Sequence, residues 1–144
     1  MAGETIIQAL QTYMTTCPLF EENGLKLSVN WLESEPNSYG IFALPGEKTI
    51  VAYPVGGGIY EFPFELLVNA SNADDLARLQ VQGFFEKFSH WLEEQGNNDT
   101  LPILSNNQVA FDIEALGQGY LVEQGESNVS TYGVPCKLIY EKKR

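Results

Sequence analysis

From Tyr132 through Val134, Cys136 and Leu138 to Tyr140 every second residue is apolar, with Thr131, Gly133, Pro135 and Lys137 in the alternate places. That period predicts a β-strand with one buried face. Upstream, Ala77, Val81, Phe84, Phe88, Trp91 and Leu92 recur at helical spacing. Their aromatic stripe is wide enough to cover such a face, so the two patterns fit as layers.

The remaining elements follow from the same reasoning. Thr5-x-x-Gln8 has capping-box spacing, and a helix is expected from there to about Cys17, where Pro18 disfavours helical geometry in the residue before it. Ile6, Leu10, Tyr13, Met14 and Cys17 share its buried stripe. After the turn Glu22-Asn23-Gly24, alternation of Leu25, Leu27, Val29 and Trp31 with polar residues predicts a first strand. Residues 33–58 are rich in breaks. Within them Tyr39–Leu44 and Thr49–Tyr53 read as the two arms of a projecting hairpin, with Pro45, Gly46, Glu47 and Lys48 at its tip and Gly56, Gly57 and Gly58 as a flexible joint.

Tyr60, Phe62, Phe64, Leu66 and Val68 alternate in the next strand. Pro63 lacks an amide hydrogen, which predicts an edge position or a bulge there. Ser71-x-x-Asp74 opens the long helix with Asp74 and Asp75 at its positive end, and Gly96 is expected to terminate it after Gln95. A strand with Val109, Phe111, Ile113 and Ala115 on one side follows, interrupted by Gly117-Gln118-Gly119 before Tyr120-Leu121-Val122. A turn around Gly125-Glu126-Ser127-Asn128 then leads into the closing strand.

Helices at two separated points among mainly antiparallel strands predict an α+β fold. It is a two-layer sandwich: a sheet of about four main strands, two helices packed on one face, and a projecting hairpin loop. Each buried Phe, Leu or Trp contributes about 1.5–3 kcal/mol, which sets the aromatic layer against the cost of ordering the backbone. The length of 144 residues corresponds to one domain, 1–144, with the projecting loop at about 33–58.

Composition narrows the function. Nineteen acidic residues against eight basic give a formal charge of −11, and three of the basic residues are the terminal Lys142, Lys143 and Arg144. Such a surface repels nucleic acid unless charge is locally segregated. No basic-then-apolar leader follows Met1, and no window approaches the roughly 18 apolar residues of a membrane span, so a soluble, non-secreted protein is expected. Cys17 and Cys136 each continue an apolar pattern and read as small buried hydrophobes rather than a disulfide. The sequons at Asn69, Asn98 and Asn128 read as turn chemistry.

Reactive constellations are sparse. His90 is the only histidine and falls inside the long helix, a surface or boundary position. The pairs Glu21-Glu22, Asp74-Asp75 and Glu93-Glu94 are sequence neighbours that point two ways, so they read as solvated charge rather than a facing acid and base. No Lys-Ser/Thr follows the glycine triplet, which argues against a phosphate loop. The expectation is no enzyme, no catalytic or metal site and no cofactor.

Several of these patterns together resemble a known family. The string Phe84-Phe85-Glu86-Lys87-Phe88-Ser89-His90-Trp91-Leu92-Glu93-Glu94-Gln95, then Leu101-Pro102, Gly119-Tyr120-Leu121 and the alternating Tyr132–Tyr140 strand, resemble the tail terminator or minor capsid proteins of tailed bacteriophages and prophages. The short first helix ending in Cys17-Pro18 and the strand Tyr60-x-Phe62-x-Phe64 extend the likeness to the whole chain. Pro135 in the final strand and the proline and glycine around residues 45–58 depart from it.

The resemblance implies an α+β structural subunit without enzyme activity. It would assemble as a six-fold ring on the last tier of the tail tube, stop tube polymerisation and offer a surface to the head-completion or connector protein. Its partners would be copies of itself, the tail tube protein and that connector, with DNA passing through unbound and no membrane. Its place would be the virion tail, and the bacterial host cytoplasm during assembly. Candidate assembly residues are Pro45, Gly46, Glu47 and Lys48, with Gly56, Gly57 and Gly58 giving the loop freedom to order on docking. A sheet edge near Pro63 or Pro135 is a second candidate. Another head–tail connector subunit of similar fold, and a small-ligand-binding α+β domain with an aromatic pocket, stay open as alternatives.

Overall fold

The computed structural model describes residues 5–22, 25–27, 38–71, 75–105, 107–117, 119–124 and 129–143. In chain order the elements are helices α1 (Ile6–Met14) and α2 (Pro18–Glu22), strands β1 (Lys26–Leu27), β2 (Ser38–Ala43), β3 (Lys48–Ala52) and β4 (Gly58–Ser71), helix α3 (Asp75–Asn97), and strands β5 (Gln108–Ala115), β6 (Tyr120–Gln124) and β7 (Val129–Lys142). The fold is α+β, with a mainly antiparallel sheet. Among the described residues it has seven strands, with the long β4 and β7 as its main pair.

The axis of the sheet is the β4–β7 pair, matched antiparallel from Gly58↔Lys142 to Ser71↔Val129. Each long strand carries two short strands end to end along its other side. On β4 these are β3, opposite residues 58–61, and β2, opposite residues 64–69. On β7 they are β5, opposite residues 136–142, and β6, opposite residues 130–133. β1 adds to β2 in parallel.

This arrangement overturns the expected hairpin. β2 and β3 do not pair with each other; both pair with β4. Residues 44–47 are a four-residue interruption between them, facing only Phe62 and Pro63. The true hairpin joins β3 to β4 through Tyr53–Gly57, closed by hydrogen bonds from Tyr53 N to Gly57 O (3.1 Å) and from Gly56 N to Tyr53 O (3.2 Å). Gly56 and Gly57 take φ of 101° and 81° there, left-handed values that a side chain would strain. Gly56 and Gly57 therefore make the turn and Gly58 begins β4, so the triplet is not a joint beside a hairpin.

The two strand prolines are explained by the same tandem pattern. Pro63 is not at an edge: its carbonyl accepts from Leu44 N (3.0 Å), so its missing amide hydrogen faces the seam between β2 and β3. Pro135 repeats this on β7. Its carbonyl accepts from Leu116 N (2.8 Å), at the seam between β5 and β6. A residue with no donor costs least where the neighbouring strand is broken.

One face of this sheet is buried under the helices. Phe64, Leu66 and Val68 of β4 and the whole series Tyr132, Val134, Cys136, Leu138 and Tyr140 of β7 are buried with Leu10, Tyr13 and Met14 of α1 and Phe84, Phe85, Phe88 and Leu92 of α3. Phe20 of α2 binds the layers together. Its ring stacks on Tyr39 of β2 at 4.0 Å and meets Phe84 and Phe88 at 5.7 and 5.8 Å.

Helix boundaries differ from expectation in instructive ways. The Thr5 capping box forms, with Thr5 Oγ1 accepting from Gln8 N (3.2 Å) and Gln8 Oε1 accepting from Thr5 N (2.8 Å). α1 nevertheless ends at Met14, and Pro18 begins the second short helix, a position that tolerates its missing donor. At the other end of α3, Gly96 lies inside the helix. The terminator is Asp99 (φ 57°), with Thr100 N bonded to Gln95 O and Asp99 N to Gly96 O, a Schellman closure. Gly96 instead lies beside β5, where a β-carbon would fall 2.8 Å from the exposed Asp112 Oδ1, which would have to turn aside.

β5 carries the largest correction to the alternation. A bulge between Ala110 and Asp112 adds one residue, so Ala110 and Ile113 are buried while Val109 and Phe111 are about half exposed. The strand residues 28–31, the Ser71-x-x-Asp74 opening beyond Ser71, the turn residues Asn23, Gly24 and 125–128, Gln118 and the side chains of Ala77 and Val81 lie outside the described residues. Among those described, no helix is long and apolar enough to cross a membrane.

Candidate functional site

Pro45, Gly46, Glu47 and Lys48 are exposed, yet they bridge two strands rather than cap a projecting loop. Glu47 Oε1 accepts a hydrogen bond from Tyr140 Oη (3.0 Å), which ties the interruption to the rim of the core. Burial, and then that carboxylate, push the Tyr140 phenol well above its ordinary pKa. Gly56 and Gly57 sit in the β3–β4 turn and Gly58 begins β4. Pro63 and Pro135 lie in the two central strands, so neither marks a free sheet edge. These nine residues are not gathered in one place.

Groups with reactive potential are scattered or sequestered. His90 is exposed on α3. Cys17 and Cys136 are free and buried; burial raises the Cys17 thiol to about 11 and the Cys136 thiol further. Among the described residues, no group of three or more His, Cys, Asp or Glu is placed to hold a metal ion. Asn69 is not in a turn: it is buried in β4, donating from Nδ2 to Ser38 Oγ (3.2 Å) and accepting at Oδ1 from Thr131 Oγ1 (2.6 Å). Asn98 does fall in the turn after α3, and Asn128 lies outside the described residues.

The surface is more informative. Lys137, midway along the sheet, meets Glu114 at 3.0 Å and Glu61 at 3.5 Å, and those two carboxylates raise its pKa, the Glu114 hydrogen bond foremost. Exposed large apolar residues behave differently. Of the seven among the described residues, Ile50, Val51 and Val55 lie in residues 49–60, and Ile103, Val109 and Phe111 lie in residues 100–111; only Leu116 falls elsewhere. Both stretches are twelve residues long and contain no charged side chain.

A third uncharged stretch, the sixteen residues 5–20, supplies α1. It comes together with the second. Ala9, Thr12, Tyr13 and Thr16 of the α1 region and Thr100, Leu101 and Ile103 line a groove of about 350 Å³, whose two sides are joined by a hydrogen bond from Tyr13 Oη to Thr100 O (2.9 Å). No charged residue lines it. Ile103 stands at 88% exposure on its rim.

Attention to loops, glycine and proline misses this surface, but the sequence does contain a signal for it. In a chain with 27 charged residues of 144, the three longest stretches without any are these three. No family model matches the chain, and no curated protein matches it either.

Proposed function

We propose that the protein is a structural subunit of a bacteriophage or prophage tail, one that caps the tail tube as a ring, stops its polymerisation and provides the joining surface for the head. The observation that carries this reading is that six of the seven exposed large apolar side chains among the described residues fall in two uncharged twelve-residue stretches of a molecule with charge −11. Copies of so acidic a protein repel one another over most of their surface, so contact has to be made where charge is absent. Apolar patches of this kind mark interaction surfaces more often than chance exposure does.

The resemblance along the chain to tail terminators supplies the kind of assembly, and the absence of charge from the patches fits docking against a protein rather than against nucleic acid. DNA would pass the ring without specific binding.

Tail length is the direct test. Deleting the reading frame from the phage or prophage that encodes it is expected to give overlong tails that lack heads in electron micrographs, restored by the wild-type protein supplied in trans. Tails of normal length joined to heads in the deletion strain overturn the reading.

A further inference from the structure

β3 is held differently from β2 and β5. β2 buries Tyr39 and Ile41, and β5 buries Ala110 and Ile113, but all five residues of β3 are exposed. No side chain of β3 enters the core, so burial contributes little to keeping it in place. Its pairing with β4 is also interrupted: the register steps from Thr49↔Tyr60 to Val51↔Ile59, leaving Ile50 without a partner in the ladder. So short a strand, with nothing buried, rests on a few main-chain hydrogen bonds.

Two side-chain bonds supply what burial does not. Glu47, the residue before β3, accepts from Tyr140 Oη at 3.0 Å, and Tyr53, the residue after it, donates to Glu141 Oε2 at 2.5 Å. Both reach past β4 to β7, across two interstrand spacings or about 10 Å, a gap that a tyrosine and a glutamate together can span. Tyr140 belongs to the buried face of the sheet and Glu141, next in the strand, to the other. The ends of β3 are therefore clasped over β4 from both faces. Each clasp joins a phenol to a carboxylate, the stronger, charge-assisted kind of hydrogen bond.

Glycines lie outside both clasps. Gly46 has φ of 101° with open space where a β-carbon would stand, and Gly56 and Gly57 have φ of 101° and 81°. Before Gly46 the chain is fixed by Leu44 N on Pro63 O (3.0 Å), and after Gly57 by the pairing of Gly58 with Lys142.

We infer that residues 47–55 form a detachable strap. β3 lifts from β4 as a unit, pivoting at Gly46 and at Gly56 and Gly57, while the rest of the sheet stays folded. The Glu47–Tyr140 and Tyr53–Glu141 bonds set how often it lifts. An open strap leaves the β4 edge over Gly58–Glu61 unpaired, main chain of the kind to which extended segments add. Neither bond depends on the capping role.

Hydrogen exchange read by mass spectrometry in low denaturant tests the strap. In the wild type the β3 amides are expected to exchange well before those of residues 64–69 and 132–138, with little response to denaturant, because lifting the strap exposes little new surface. Tyr53→Phe and Tyr140→Phe each remove one hydroxyl and leave the ring in place. Each is expected to raise the exchange rate of β3 about ten-fold, and the two together about a hundred-fold, since the clasps lie on opposite faces. Tyr53→Phe combined with Glu141→Gln should be no faster than Tyr53→Phe alone, because the bond is already gone.

Val134→Ala provides the contrast. It loosens the centre of the sheet, which is the same whether the strap is open or closed, so it should speed exchange at residues 64–69 and leave β3 at its wild-type rate. Three results overturn the strap: β3 amides that exchange only as slowly as the centre, an unchanged rate in either phenylalanine variant, or equal acceleration of β3 by Val134→Ala. Tail length in the deletion strain judges the capping role separately in every case.

Discussion

Gly119 lies against the ring of Phe85: a β-carbon at 119 would fall 2.0 Å from Phe85 Cδ2 and 2.4 Å from Cε2. The connection between β5 and β6 thus runs directly over an α3 side chain that is itself only 2% exposed. Gly119→Ala forces either the ring or the loop to move. Overpacking of this kind costs about 1–3 kcal/mol, readable as a lower denaturant midpoint at unchanged slope. Adding Phe85→Leu should recover part of the loss. Additive losses in the double variant would show that the two positions are not in contact.

The seam prolines make a paired prediction. Pro63→Ala and Pro135→Ala each return an amide hydrogen to a place where the neighbouring strand is interrupted, so the fold survives and only chain stiffness is lost, about 0.4–1 kcal/mol. Val134→Pro is different. Val134 is adjacent to Pro135 and fully buried opposite Leu66, so its amide points the other way, into the β4–β7 ladder. That variant is expected to fail to fold, judged by circular dichroism and soluble yield. A folded Val134→Pro protein would contradict the register.

Legibility in the sequence tracks how local each feature is. The Tyr132–Tyr140 strand could be read because it lies regular in the middle of the sheet, where each position has a single inside and outside. β5 misled because one inserted residue, Phe111, shifts the alternation, and nothing in the residue types announces a bulge. The hairpin misled for a different reason. Thr49–Tyr53 has the pattern of a strand arm, but pattern does not choose a partner, and β2 and β3 both found β4. Gly96 has the composition of a helix stop, but the left-handed terminating residue is Asp99, three residues later, while Gly96 stays inside the helix beside the Asp112 carboxylate. The uncharged stretches were readable in principle, but the groove exists only because α1 meets residues 100–103 in space.

The Ser38–Asn69–Thr131 row predicts a pH signature. Asn69 is buried at 2% exposure and uses its amide both as donor to Ser38 and as acceptor from Thr131. Asn69→Asp keeps the acceptor, loses the donor and places a charge in a dry site, where burial raises the carboxyl pKa above its unfolded value. With a raised pKa, the folded state holds the proton more tightly, so the variant is most stable in acid and loses stability as pH rises through the carboxylate range. At neutral pH the expected loss is about 2 kcal/mol or more, shrinking as the pH is lowered towards about 4. A loss independent of pH would mean that the introduced carboxyl group is solvated. The same burial predicts no modification of Asn69 in the folded protein.

The buried thiols and phenols set an alkaline limit to the fold. Burial raises the thiol of Cys17 from 9.0 to about 11, raises Cys136 further, and raises the phenols of Tyr13, Tyr39 and Tyr140. An acid whose folded pKa lies above its unfolded value keeps its proton in the native state while the unfolded chain releases it. Below about pH 9 both states are protonated and these groups leave stability flat; above it the unfolded state binds fewer protons and unfolding becomes easier with each increment. For Cys17 alone that window closes near 11. Urea unfolding between about pH 7.5 and 10.5 should therefore show a stability plateau followed by a steady fall, and Cys17→Ala should lower the plateau but flatten the fall. At about pH 8 a thiol reagent should modify neither cysteine in the native protein and both once it is unfolded. Reaction of the folded protein at the rate of free cysteine would place at least one thiol at the surface, and would remove the physical basis of the alkaline limit with it.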